Sequence, residues 1–418
     1  MSVEISAIVG LAIMFIIATA LPINMGALAF VGAFIIGMLA EMPTKDVFAG
    51  FPADLFVTLV GITYLFAIAQ KNGTIGWLVH KAVWLVQGRI AAMPWVMFIV
   101  AGVLTSVGAV SPAAVAIIAP IALSFAYKYR ISPLLMGLMV IHGAQAGGFS
   151  PVSIYGSITN QVVKTAGLPG NEFALFMSSL IINFVIAVII FFYFGGHRAT
   201  RAANAMINPE QSEPELLDTG LNPHRSFTLA GLVILGVGSL AFDLNVGLVA
   251  ISVAVLLALL APHEQKNAVD QVSWSTVLLI TGVITYIAVL QKVGAVDMAG
   301  NSVTSIGVPL LGALLLCYIG GIVSAFASSV AVLGATIPLA VPFLLQGNIE
   351  AVGVVSAIAV ASTIVDVSPF STNGALVVAN SHGTDKDRFY RQMLVYSAIL
   401  VAVGPLFVWL LLVVPGWF

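Results

Sequence analysis

Charge is what this chain has least of: 8% of its 418 residues are Asp, Glu, Lys or Arg, and the formal net charge is −2. The few basic residues are dispersed, which excludes the clustered cationic face that a nucleic-acid partner needs. A single cysteine, Cys317, excludes an internal disulfide and any CxxC metal or redox site. HExxH, GxSxG and a Cys–His pair are all missing, so no catalytic constellation is legible and an enzyme is not expected. The start, MSVEIS, carries Glu4 but no basic n-region, and no small-x-small cleavage site follows. The first apolar run is therefore expected to be retained as a span.

What is abundant is apolar: 60% of the residues are hydrophobic and the mean hydropathy is +1.10. No soluble globular chain has this composition, so a polytopic, all-α membrane protein is expected, with the lipid bilayer as its surroundings. Apolar segments lie near 5–20, 24–40, 55–70, 95–127, 132–163, 173–195, 226–242, 245–261, 274–290, 307–345, 350–380 and 391–415. A span needs about 20 residues. The 95–127 and 307–345 segments are too long for one crossing, carry small polar residues near the middle, and read as helical hairpins.

If both hairpins are re-entrant, twelve basic residues, from Lys71 and Lys81 to Arg388 and Arg391, fall on one side and only Lys45, Lys164 and Lys292 on the other. The positive-inside rule then places the larger set in the cytoplasm and both termini outside. The one long polar loop, 198–225, is cytoplasmic and central.

It separates two halves that resemble each other. "GITYLFAIAQKNG" (61–73) aligns with "GVITYIAVLQKVG" (282–294 for its matched positions), 221 positions apart, and the Ser-Pro motifs at Ser150 and Ser368 are 218 apart, as are Pro120 and Pro338. Gln70-Lys71 ends its span on the cytoplasmic side and Gln291-Lys292 on the outer side, so the halves are expected to be inverted. The first repeat, 1–197, holds spans 1–3, hairpin 95–127, broken span 132–163 and span 173–195. The second, 226–418, holds spans 226–290, hairpin 307–345, broken span 350–380 and span 391–415. Inverted repeats with interrupted helices point to a secondary transporter with a midplane site.

The interruptions are "GGFSPVSIYGSI" (147–158) and "DVSPFSTNGAL" (366–376). Pro151 and Pro369 remove a backbone donor, and Gly156 and Gly374 are expected to supply the bend. Freed N–H groups suit an anion and freed carbonyls a cation. Ser150, Ser153, Tyr155, Ser368, Ser371, Thr372 and Asn373 add neutral donors and acceptors. One such motif would read as a mere kink, but its duplication at the related position argues for a substrate or ion site. The hairpin turns add Thr105, Ser106, Ser111, Ser324, Ser328 and Ser329, although small residues also serve close helix packing.

Two ionisable groups fall within the apolar spans. Asp366, whose counterpart is Gly148, is a candidate cation or proton site, or a cap for the half-helix after the break. His142 either shuttles a proton or is bonded to a neighbouring helix. Lys and Arg are absent from the motifs, so a bound anion would depend on dipoles, hydroxyls and cations. "WLVHKAVWLVQGR" (77–89) reads as an amphipathic interfacial helix.

Paired hairpins, each followed by a span interrupted at a Pro-containing motif, resemble the divalent anion:sodium symporters of the ion transporter superfamily, most closely the malonate-type dicarboxylate carriers. The family's Ser-Asn-Thr tips match Val110-Ser111-Pro112 and Ser328-Ser329-Val330 here. Its Thr-Pro-Pro-Asn-like motif matches Ser150-Pro151-Val152-Ser153 and Ser368-Pro369-Phe370-Ser371. The resemblance implies a homodimer in a bacterial inner membrane, built of a scaffold and an elevator-type transport domain, with Na+ as a candidate coupling ion. Gly108, Gly156, Gly374, Asp366 and His142 are the ion-coupling candidates. The expected function is secondary transport of small dicarboxylates with Na+ or H+; carriage of arsenite, citrate or another organic acid on the same scaffold, or an anion channel, are the alternatives.

Overall fold

The computed structural model describes residues 2–21, 23–85, 92–196, 220–242, 244–262, 267–298, 308–326, 329–345, 349–381 and 385–417. Among them the secondary structure is helical, with no strand. The first half contains α1 (Val3–Ala20), α2 (Met25–Leu39), the short α3 (Thr44–Phe48), α4 (Ala53–Lys71), α5 (Thr74–Leu85), α6 (Met93–Ser106), α7 (Ser111–Lys128), α8 (Pro133–Gly147), α9 (Ile154–Thr165) and α10 (Glu172–Tyr193). The second contains α11 (Pro223–Ala241), α12 (Val246–Leu260), α13 (Trp274–Lys292), α14 (Pro309–Ser324), α15 (Ser329–Leu344), α16 (Ala351–Ile364), α17 (Thr372–Ala379) and α18 (Lys386–Leu412). Six of these, α4, α7, α10, α11, α13 and α18, are long and apolar enough to cross a membrane. Their outward faces carry exposed side chains such as Ile189, Leu240 and Val403, which in a bilayer meet acyl chains rather than water.

Starts are set by short polar residues. Asn24 caps α2 by accepting from the N–H groups of Gly26 and Ala27, and Asn245 caps α12 through Leu248 N–H. The Asn24 amide also donates to the carbonyl and hydroxyl of Ser275 at the head of α13, tying sequence-distant helices together.

α2 packs on α13 and α4 on α12. Both crossings are made at glycines: a Cβ on Gly26 or Gly282 would strike backbone of the opposite helix, and so would one on Gly61 or Gly247. Gly26 and Gly247, like Gly61 and Gly282, are 221 positions apart. Helices in lipid lack a hydrophobic drive toward each other and associate through this kind of close backbone approach.

The remaining helices form a second group. α6 turns through 107–110 into α7 and lies along α8, where Gly143 and Gly147 sit against the α6 backbone; α14 leads to α15 and lies along α16. The first turn needs Gly108 at φ +116, with no space for a side chain beside Ile62. The second arm of each of these pairs meets the half-helix of the other half: α7 contacts α17, and α15 contacts α9.

Candidate functional site

Both Ser-Pro segments lie between helices. α8 ends at Gly147 and α9 begins at Ile154; α16 ends at Ile364 and α17 begins at Thr372. The chain leaves the helix before each proline, because Pro151 and Pro369 bias the preceding residue away from helical geometry.

The local chemistry of the two gaps is nearly identical. Ser153 is the N-cap of α9: its Oγ accepts from Gly156 N–H at 3.2 Å and is directed at the carbonyls of Gly148 and Ser150. Ser371 is the N-cap of α17, accepting from Gly374 N–H at 3.3 Å and reaching the carbonyls of Asp366 and Ser368 at 2.8 and 2.7 Å. Each serine therefore closes its gap by satisfying both a freed donor and a freed acceptor.

The two glycines correct the sequence reading. Neither Gly156 nor Gly374 makes the bend; both lie in the first turn of the following half-helix, outside the left-handed region. Their missing Cβ lets that turn approach the Ser150 carbonyl in one gap and the Ser368 carbonyl in the other. Asp366 likewise does not cap α17, since Ser371 does.

Asp366 instead organises a buried cluster. It is 3% exposed and is the one buried carboxylate among the described residues. Its Oδ2 accepts from Gln145 Nε2 at 3.1 Å and from Asn373 Nδ2 at 2.9 Å. Asn373 Nδ2 also donates to Ser111 Oγ at 2.8 Å, so α17 is joined to the first residue of α7. Ser150 Oγ donates to the carbonyl of Ser106, joining the first gap to the end of α6. Ser324 and Ser329 share a 2.8 Å hydrogen bond across the turn between α14 and α15. Tyr155 is buried against Phe149 at the head of α9.

The two amides around Asp366 are only half used. Gln145 Oε1 and Asn373 Oδ1 are buried acceptors with no partner. Each belongs to the carboxamide whose nitrogen reaches Asp366, so both oxygens lie in the same buried cluster. A buried acceptor without a donor costs about 1–3 kcal/mol. With the Asp366 carboxylate, the two amide oxygens are the oxygen groups of this cluster that could hold a small monovalent cation. No group of three or more His, Cys, Asp or Glu side chains placed to hold one metal ion is present among the described residues.

The other expected residues are distributed unevenly. Thr372 is exposed and stands outside the buried cluster, Pro369 is buried, and Pro151 is half-buried. Thr105 and Ser106 bond to carbonyls of their own helix. Ser328 lies outside the described residues. His142 belongs to a separate network: its Nδ1 donates to Asn183 Oδ1 at 2.9 Å, and Nε2 accepts from the Tyr396 hydroxyl at 2.8 Å. Asn183 continues to Ser179, whose hydroxyl donates to the Gln145 carbonyl at 3.0 Å. This network ties α8 to α10 and α18.

Gln145, Asn183 and the exposed pair Phe326 and Phe370, stacked at 5.6 Å where the α14–α15 turn meets the second gap, escaped the sequence reading. The two amides had a usable signal: a Gln or Asn inside an apolar span needs a partner. The stack had none, because its two rings are distant in sequence.

Comparison with known proteins shows likenesses to transporters. Residues 1–148 match the family model described as "Dicarboxylate carrier protein MatC N-terminus". The uncharacterized transporter Rv2684 of Mycobacterium tuberculosis and the uncharacterized transporter Mb2703 of Mycobacterium bovis are each 23% identical over 296 residues, covering 68% of this chain and 67% of theirs. The crystal structure of the Alcanivorax borkumensis YdaH transporter superposes with a TM-score of 0.59 at 12% identity, over 88% of this chain and 87% of that one, which is a likeness of fold. The family and proteins that this chain resembles are membrane transporters and not enzymes. The dicarboxylate-carrier match is confined to residues 1–148.

Proposed function

We propose that the protein is a secondary active carrier of small dicarboxylates of the malonate, succinate or malate kind, coupled to Na+ or H+. The observation that carries this reading is the Asp366 cluster, where the second gap, α8 and the head of α7 converge and two acceptor oxygens stand unpaired. A dianion would be repelled by the Asp366 carboxylate alone. A cation held by Asp366, Gln145 Oε1 and Asn373 Oδ1 would supply the positive charge that a substrate carboxylate requires, so substrate and cation would bind together. The neutral groups nearby, Ser111 and Ser329 at the heads of α7 and α15, would complete recognition by hydrogen bonding. Such mutual dependence is the basis of symport, and it disfavours a channel.

In the same reading the chain is two inverted repeats, 1–197 and 226–418. The glycine crossings at Gly26/Gly282 and Gly61/Gly247 support this, as do the matching serine caps Ser153 and Ser371. α1, α2, α4, α11, α12 and α13 would be a fixed scaffold, and the hairpins and interrupted helices would carry the cargo past it as an elevator. Both termini would lie outside a bacterial inner membrane, and the carrier would act as a homodimer.

The test is uptake of labelled malonate and succinate into proteoliposomes under a Na+ gradient, a H+ gradient or neither. Saturable uptake driven by one gradient is the expected result. Absence of uptake under every gradient overturns the dicarboxylate assignment, and uptake that does not saturate would favour the channel.

A further inference from the structure

The turns of the two hairpins occupy related places in the chain. Ser106 ends α6 as Ser324 ends α14, and Ser111 begins α7 as Ser329 begins α15, each pair 218 positions apart. On the same offset Gly108 corresponds to Phe326, Val152 to Phe370 and Ala116 to Gly334. Beside them, Ile62 and Phe66 of α4 correspond to Val283 and Ile287 of α13, 221 positions on.

These related positions are packed in opposite ways. In the first half the turn is covered by α4: Gly108 and Val152 are buried, and a Cβ on Gly108 would lie 2.8 Å from Ile62 and 3.5 Å from both Phe66 and the Val152 carbonyl. Ala116, farther along α7, is exposed. In the second half the turn is bare, with Phe326 and Phe370 53% and 54% exposed. Here it is Gly334, farther along α15, that is buried, and its Cβ would lie 3.5 Å from Val283 and 3.9 Å from Ile284. One helix meets its hairpin at the turn, the other meets its hairpin along the arm. The five residues from Ser329 to Gly334 make about 8 Å of helix.

The bare rings form an ordered surface. They stack on each other at 5.6 Å, and Tyr390 of α18 stands edge-on to Phe370 at 6.4 Å. Volumes are also exchanged across the two contacts: α4 presents Ile and Phe to a glycine, whereas α13 has the smaller Val and Ile for a phenylalanine. The free space is unequal as well. Phe66 and Gln70 line a crevice of only about 40 Å³, while their counterparts Ile287 and Gln291 line one of about 680 Å³.

We propose that the stacked Phe326–Phe370 pair is the surface on which α13 docks in the carrier's other state. The inference rests on the inverted-repeat and elevator reading above. In that state α13 leaves Gly334 and brings Val283 and Ile287 over the rings, while Ile62 and Phe66 leave Gly108 and come to lie at Ala116. The second gap then exchanges its exposed aromatic side chains for a wall of scaffold.

Cysteine pairs in full-length Cys317→Ala protein, treated in membranes with a short bis-maleimide in the presence and absence of malonate and Na+, test this. Val283→Cys with Gly334→Cys reports the packing in this structure and is expected to cross-link. Val283→Cys with Phe326→Cys, and Ile62→Cys with Ala116→Cys, report the other state, and both are expected to cross-link too. Adding Phe326→Ala is expected to remove most of the Ile62–Ala116 cross-link while the Val283–Gly334 cross-link is retained. The proposal is overturned if Val283 and Phe326 do not cross-link under any condition, or if Phe326→Ala leaves the Ile62–Ala116 yield unchanged. Cross-linking of Ile62 with Ala116 but not of Val283 with Phe326 keeps the elevator reading and makes the rings a lipid-facing surface. Failure of both pairs beside an intact Val283–Gly334 cross-link removes the elevator reading as well.

Discussion

A single carboxylate decides the chemistry proposed for the interior. Burying Asp366 without compensation is costly, and what compensates it here is two amide donors and, on the transport reading, a cation. Asp366→Asn keeps the shape and removes the charge. Its expected result is loss of gradient-driven dicarboxylate uptake by at least about tenfold in a protein that still elutes as a single species, with ligand binding no longer dependent on the cation. His142→Ala should behave differently. It removes the tie to Asn183 and Tyr396, so thermal stability should fall by about 1–3 kcal/mol, the cost of stranded buried partners, while the cation dependence of uptake is unchanged. A shift in cation dependence in that variant would place His142 in the coupling machinery. Gly156→Ala and Gly374→Ala should each lower the melting temperature, since the added methyl meets the Ser150 or Ser368 carbonyl. Gly76→Ala has open space around it and is the control expected to be neutral.

Elements meet in this protein mainly where side chains are missing. The crossings of α2 with α13 and of α4 with α12 bring backbone to backbone at four glycines, and a bulky residue there cannot be absorbed by a rotamer change. Gly282→Leu should therefore give little or no monodisperse protein, whereas Gly236→Leu, on a stretch of α11 with nothing within 4 Å, should purify normally. Size-exclusion chromatography of the two variants decides the matter. At the interrupted helices the serine caps do the equivalent work. Ser153→Ala and Ser371→Ala each remove a cap that is worth about 1 kcal/mol, so a similar loss of stability from both is expected.

The whole molecule interlocks its halves. α4 of the first half is held by α12 of the second, α2 by α13, α7 by α17 and α9 by α15, so neither half packs as a separate unit. If the halves are inverted, both ends of the chain face outward. A membrane-impermeant reagent should then label cysteines placed at Ser2 and Trp417 in intact cells. Labelling only after permeabilisation would reverse the orientation drawn from the basic residues. The inequality of the two crevices, about 680 and about 40 Å³, belongs to this scale too, because related stretches of sequence line both.

Composition alone determined that this is a helical membrane protein, since 60% hydrophobic and 8% charged residues leave no soluble alternative. The Ser-Pro duplication located both gaps, because proline and glycine act on the backbone locally and need no tertiary context to be read. How those gaps are closed was settled by contacts the sequence does not display. Whether a serine caps a helix or faces a ligand depends on where the chain turns, which is why Ser153 and Ser371 proved to be caps and Gly156 and Gly374 packing positions. That Gln145, Asn373 and Ser111 share one carboxylate environment depends on helices far apart in the chain coming together. Hydropathy and motif spacing carry one-dimensional information about the backbone. The partner of a buried polar atom is a three-dimensional fact, fixed only when the helices pack.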